Sequence, residues 1–237
     1  MTGSDVLPPS FRLGYVPGVT PAKWARIWAD RLPRTPLELV QVPSAEAVAL
    51  VRGDGADAVL VRLPIDRTRL HAIPLYTETT VVVVPKDHLV TAADEVSLDD
   101  LADELMLHPL DDTLDWAGPP GRVIDDRPAT TASAIEIAAA GTGLLVVPQS
   151  LARLYHRKDL TYRPIVDAPQ SSVALSWPED DTGELMEQFI GIVRGRTVNS
   201  TRGATPPKPK QASKKAPAAK KQSAPRGAKR GKPRRRS

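Results

Sequence analysis

The 237 residues suffice for one large domain or two small lobes, each with a real core. Their formal charge of +4 hides a strong asymmetry: residues 198–237 hold 14 Lys+Arg and no Asp or Glu. Setting those 14 aside from the 32 basic residues leaves 18 against 28 acidic ones, a net charge of −10 on the rest. With no cysteine, a disulfide scaffold, a thiol nucleophile and a thiolate metal site are all excluded. His71, His88, His108 and His156 are too scattered for a zinc enzyme, and ten aromatic residues give few stacking platforms for single-stranded nucleic acid. The N-terminus is polar and holds no signal-peptide core, and no apolar run approaches the ~20 residues of a membrane span, so a cytoplasmic protein is expected.

In chain order, residues 11–16 (FRLGYV) read as a strand, and Thr20-Pro21 as a helix start with the hydroxyl as N-cap. The helix over 21–32 puts Trp24 and Trp28 on one face. A strand at 37–42, a helix at 44–53 capped by Ser44 and a strand at 57–62 complete a βαβαβ order, which predicts a parallel sheet covered by helices. The extended run 75–88 (LYTETTVVVVPKDH) is too long for one ordinary strand and is expected to cross between lobes. Ser97-Leu-Asp-Asp100 opens a short helix as a capping box, followed by a strand at 105–107 and a loop over 109–121 rich in Asp, Pro and Gly. A short strand at 122–125 precedes an apolar helix over 130–140, stopped by Gly141 and Gly143. Then come a buried strand at 143–148, a helix at 150–156, a strand at 160–166 and a return crossing at 171–177. The last helix, opened at 181–184, places Leu185, Phe189, Ile192 and Val193 on one face.

After Thr197 the periodicity stops. The Lys/Ala/Pro-rich remainder has no aliphatic side chain larger than alanine beyond Val198, so it cannot offset its ordering entropy and is expected to be disordered.

The expected fold class is α/β: two βα lobes joined by two crossing strands into a hinged clamshell, plus a disordered basic tail. At this point the chain resembles the effector-binding domain of LysR-type transcriptional regulators, which has the type 2 periplasmic-binding-protein fold. The resemblance rests on FRLGYVPG, ALVRGDGADAVLVR, PLYTETTVVVVPKDHLV, VSLDDLADELML and AIEIAAAGTGLLVVPQSLA, in that order over about residues 11–197. It implies a short extension at 1–10, lobe I at about 11–80 and 175–197, lobe II at about 81–174, and the tail at 198–237. Two departures stand out. Only ten residues precede the first strand, so the family's winged helix-turn-helix is not carried over, and the motif Lys86-Asp87-His88-Leu89 lacks the usual proline after His.

In such a clamshell, helix starts face the cleft, and their unpaired N–H groups suit an anion. Gly18, Val19 and Thr20 at the first helix and Thr130 and Thr131 at the later one are the candidates, positions the resemblance also implies; the competing reading is that the hydroxyls only cap helices. Arg62, at the end of the third strand, pairs with an anionic effector or is a solvated surface arginine. Glu78 on the crossing strand is a further ligand candidate, suited instead to a cationic or hydroxyl group. Asp111, Asp112 and Asp115 lack ligand spacing and read as turn formers, and His88 as structural. Trp24 and Trp28 pack in the core or on a dimer face, since the family pairs through its first helix.

There is no GxSxG and no nucleophile–base pair, and Gly141-Thr-Gly143 has the wrong strand–helix order for a phosphate loop, so an enzyme is not expected. Neither a cofactor nor a metal is expected. The expected partners are a small-molecule effector with an anionic group, a second copy of the chain, and DNA. For DNA the tail offers Lys208, Lys210, Lys214, Lys215, Lys220, Lys221, Arg226, Lys229, Arg230, Lys232, Arg234, Arg235 and Arg236, which supply attraction without base readout and imply a nucleoid-associated sensor. A solute-binding module without a DNA role, and a nucleic-acid-coating protein using the clamshell only to dimerise, are the alternatives.

Overall fold

In a computed structural model the described residues are 10–181 and 183–196. They fold into two five-stranded sheets, and the chain passes from the first to the second and back. The first sheet contains β1 (Phe11–Tyr15), β2 (Leu37–Gln41), β3 (Ala58–Leu63), β4 (Leu70–Glu78) and β10 (Ser171–Pro178), in the order β2-β1-β3-β10-β4. The second contains β5 (Thr80–Pro85), β6 (Leu105–Leu107), β7 (Arg122–Val123), β8 (Leu144–Pro148) and β9 (Leu160–Pro164), in the order β7-β6-β8-β5-β9. The helices are α1 (Ala22–Arg31), α2 (Ala47–Arg52), α3 (Thr131–Ala139), α4 (Gln149–Leu154) and α5 (Glu184–Val193).

The expected parallel arrangement holds for β2, β1 and β3, but the first sheet is mixed. β10 runs antiparallel to both β3 and β4. The second sheet repeats the scheme, with β5 antiparallel to β8 and β9. In each sheet the antiparallel strand is therefore the one that arrives from the other lobe. The long extended run divides as foreseen, into β4 and β5 with only Thr79 between them. Because β10 lies wholly in the first sheet, the return crossing is the link 165–170, and lobe I resumes at Ser171 rather than near 175. The start of β5 touches the return link: the Thr80 hydroxyl donates to the Pro169 carbonyl at 2.5 Å. Pro74 has no N–H to give the ladder, and it sits in edge strand β4 beside a register shift opposite Val173 and Ala174.

The strands are explained by their burial. β5 and β8 are continuous apolar runs because both faces of the second sheet are covered. Val81, Val83, Leu145 and Val147 pack with α3 on one side, while Val82, Val84, Leu144 and Val146 pack with Leu101 and Met106 on the other. In the first lobe α1 and α5 meet over β1, where Phe11 stacks on Trp28 at 5.0 Å and on Phe189 at 5.3 Å between ring centroids. Trp28 is thus a core residue, and its indole N–H donates to the Thr35 carbonyl at 2.8 Å.

Several helix starts differ from expectation. Pro21, not Thr20, occupies the cap position of α1, and no side chain caps it. Residues 44–46 form a 3₁₀ turn ahead of α2, with no capping bond from Ser44. The Ser97–Asp100 capping box forms reciprocally, with bonds of 2.8 and 3.2 Å, but encloses a single 3₁₀ turn. The tail and residues 1–9 lie outside the described residues.

Candidate functional site

A cavity of about 780 Å³ lies between the lobes. Residues 41–45 and 61–65 with Pro17 line it from the first lobe, and residues 110–115 and 130–132 with Leu151 and Tyr155 from the second. Most of this wall is apolar, with polar groups concentrated in the 110–115 loop and at the start of α3.

Arg62 is 6 % exposed, so it is not a solvated surface residue. A buried guanidinium must be paired and hydrogen-bonded, and this one draws on both lobes. Its Nη1 donates to Glu78 Oε2 at 2.5 Å and to Ser171 Oγ at 3.1 Å. Its Nη2 donates to the Pro17 carbonyl at 3.1 Å and to Ser150 Oγ at 2.9 Å. Ser150, on α4 of the second lobe, donates its own hydroxyl to Glu78 Oε2 at 3.0 Å. The pair thus fastens the lobes beside the hinge. Gly18 has φ +82°, and a Cβ there would stand 2.5 Å from Ser150 Oγ and 2.8 Å from Arg62 Nη2, so glycine is required. The remaining donor, Arg62 Nε, is buried with no partner.

The start of α3 is also occupied. Asp111 Oδ1 accepts the Thr131 N–H at 2.6 Å and the Thr131 hydroxyl at 2.9 Å. Thr130 caps the helix by accepting the Ser133 N–H at 3.1 Å. Asp112 is spent internally: it accepts from the Leu114 N–H and the Trp116 indole at 3.0 and 2.7 Å, and His108 Nε2 lies 3.2 Å away. The Thr113 hydroxyl is buried without a partner. Burial, reinforced by the Asp111 carboxylate, holds the Tyr155 phenol above the usual tyrosine range.

The sequence candidates are therefore divided. Arg62, Thr130 and Thr131 line the large cavity. Gly18, Thr20 and Glu78 line a separate, smaller pocket of about 380 Å³ with Lys23, Trp24, Tyr76 and Ser150. Val19 is a correction: it packs in the first-lobe core at 4 % exposure and faces neither. His88 is structural, accepting the Val90 N–H at 3.3 Å. Asp112 forms the turn expected of it, whereas Asp111 caps a helix 20 residues away and lines the cavity, which the sequence reading missed. Ser150 and Ser171 were also missed, since nothing local to either marks it as a partner of Arg62. Among the described residues no group of three or more His, Asp or Glu is placed to hold a metal.

Two α/β lobes on paired crossovers with a cavity between them define a clamshell ligand-binding module. The LysR substrate binding domain family matches residues 10–197, and the chain belongs to that family, whose members are non-catalytic, ligand-responsive regulatory modules. It is 30% identical over 159 residues to a probable hydrogen peroxide-inducible genes activator of Mycobacterium avium, covering 62% of this chain and 51% of that protein. It is 23% identical over 183 residues to the HTH-type transcriptional regulator AlsR of Bacillus subtilis, covering 70% and 59% respectively. The chain thus spans about half the length of the curated relatives it matches. Among solved structures, the BenM effector binding domain with its effector benzoate superposes with a TM-score of 0.67 at 18% identity, over 80% of this chain and 92% of that one. The oxidized form of OxyR superposes with a TM-score of 0.64 at 18% identity, over 79% and 94%. At these identities the structures bear on the fold alone.

Proposed function

We propose that the chain senses a small molecule in the interlobe cavity and converts its binding into a change of lobe geometry. The observation that carries this reading is the roughly 780 Å³ cavity walled by both lobes. A ligand touching both walls binds the closed arrangement better than an open one and shifts the population toward it. A sequence-independent attraction of the basic tail, residues 198–237, for DNA is proposed alongside, as are a cytoplasmic, nucleoid-associated location and pairing of two copies. The tail's charge supports the DNA reading; family resemblance supports the pairing. No helix among the described residues is long and apolar enough to cross a membrane.

The anionic effector expected from sequence loses two of its supports in the interlobe cavity. That expectation drew on the α3 start and Arg62, which the chain's own carboxylates Asp111 and Glu78 fill, and on the α1 start, whose Gly18 and Thr20 line the smaller pocket beside Lys23 instead. The peroxide response in the relatives' names is not carried over either, because thiol-based sensing needs a cysteine and the chain has none. The experiment is a thermal-shift screen of metabolite classes on the full chain and on Ala45→Trp, which plugs the cavity from an exposed wall position. A ligand at ~100 times its Kd stabilises by about 2.7 kcal/mol, and Ala45→Trp is expected to abolish that gain. A ligand that stabilises both proteins equally binds elsewhere and overturns the reading.

A further inference from the structure

The charge of the cavity wall is the opposite of what an anion needs. Arg62 is its one Arg or Lys among the described residues, against Asp111, Asp112 and Asp115. That single cation is already bonded to Glu78. The other natural anion site, the α3 start, has its Thr131 N–H and hydroxyl turned onto Asp111 Oδ1 at 2.6 and 2.9 Å. An incoming carboxylate would have to displace one of the chain's own carboxylates and then face two more.

From this wall we infer that the cavity selects a small organic cation, a protonated amine on an apolar body, and that Asp111 and Asp115 receive the ammonium group. The inference rests on the cavity being the ligand site. Asp111 is suited to the role because its two oxygens do different work. Oδ1 is fixed by Thr131, and Oδ2 has no partner among the described residues. A carboxylate already oriented by a helix N-terminus loses little freedom on accepting a charged donor. Asp115 is exposed on the same wall and has no bonding partner among the described residues, whereas Asp112 is consumed by Leu114, Trp116 and His108. The apolar body meets Val42, Leu63, Ile65, Leu110 and Leu151.

A second feature of the same wall, independent of its acidity, points to a ligand. Arg62 Nε and Thr113 Oγ1 are buried polar atoms without partners, and both residues line the cavity. Arg62 as a residue is only 6 % exposed. Arginine Nε is purely a donor, so a ligand group that reached it would have to offer an oxygen acceptor; a second ammonium would be repelled.

The test uses benzylamine, benzyl alcohol and benzoate, which share a ring and differ in charge. Each is titrated into the full chain with methyl-labelled Leu and Val, reading the shifts of Leu110, Leu151 and Val42 so that attraction of benzoate to the basic tail does not count. Benzylamine is expected to bind about tenfold or more tightly than benzoate, the ratio that one charge-assisted bond supplies. Asp111→Asn keeps an oxygen for Thr131 and removes the charge. In that variant benzylamine is expected to weaken about tenfold, while benzyl alcohol is unchanged and the melt stays cooperative. Benzoate binding as tightly as benzylamine overturns the inference, since Asp111 must then yield the helix start to a ligand carboxylate. Benzyl alcohol matching benzylamine removes the charge selection and leaves the cavity as the ligand site. If none of the three moves the cavity methyls, both the inference and the cavity assignment fall.

Discussion

Glu78 is the residue on which the lobe junction depends, because its removal strands the Arg62 guanidinium in a protein interior. The two side chains are 3% and 11% exposed, and Arg62 reaches Ser150 across the lobes from the same group. Breaking a buried pair by deleting one partner costs about 3–5 kcal/mol, so Glu78→Ala is expected to lose that much in a urea melt. An exposed pair such as Arg69–Asp180 is a suitable control, with an expected loss near zero on removing Asp180. Tyr155 reports on Asp111 in the same way. Burial and the Asp111 charge both disfavour the phenolate, so Asp111→Asn removes the second cause and is expected to lower the Tyr155 pKa toward the ordinary tyrosine value. Phenolate absorbance against pH measures this, with a Tyr155→Phe variant identifying the transition.

Among the elements, α5 closes the first lobe by stacking Phe189 against Phe11 and α1's Trp28. Truncating a fully buried aromatic of this kind costs about 3–5 kcal/mol, so Phe189→Ala is expected to lower the denaturation midpoint by that equivalent. This packing was legible in the 3.6-residue spacing of Leu185, Phe189, Ile192 and Val193. So were β5 and β8, because a run such as TVVVVP is intelligible only as a strand buried on both faces. What periodicity did not reveal was direction. An apolar strand reads the same whether its neighbour is parallel or antiparallel, and β10 pairs with β3, over a hundred residues earlier. Helix starts were legible only where the capping side chain had its partner within three residues, as at Thr130 and Ser97; Ser44 and Thr20 carry the right chemistry and make no such bond.

For the whole molecule, charge division carries the expectation. The tail's 14 cations face no acidic residue within the last 40 positions, whereas the preceding 197 residues are net acidic. If ~6–10 phosphates are engaged, raising salt from ~50 to ~200 mM weakens DNA binding by roughly 10³–10⁵. Anisotropy of two unrelated labelled duplexes is expected to show that slope for the full chain, equal affinity for both sequences, and no binding by a chain ending at Thr197. That shortened chain is expected to keep a cooperative melt, since the family match ends there as well. Binding that differs between the duplexes, or that survives the truncation, would place DNA recognition outside the tail.

Sequence alone determined the strand and helix inventory, the two-lobed plan, the family and the charge asymmetry, because these depend on local periodicity and on sums over composition. Tertiary structure decided the rest: that Arg62 is a buried clasp, that Val19 belongs to the core, that the Asp111 carboxylate sits on the α3 start, and that the cavity wall is acidic. The bonds among them join partners distant in sequence, 20 residues apart for Asp111 and Thr131, 88 for Arg62 and Ser150, and 109 for Arg62 and Ser171. A side chain's charge is written in its own letter, but whether that charge is free to meet a ligand depends on which neighbour the fold brings within 3 Å.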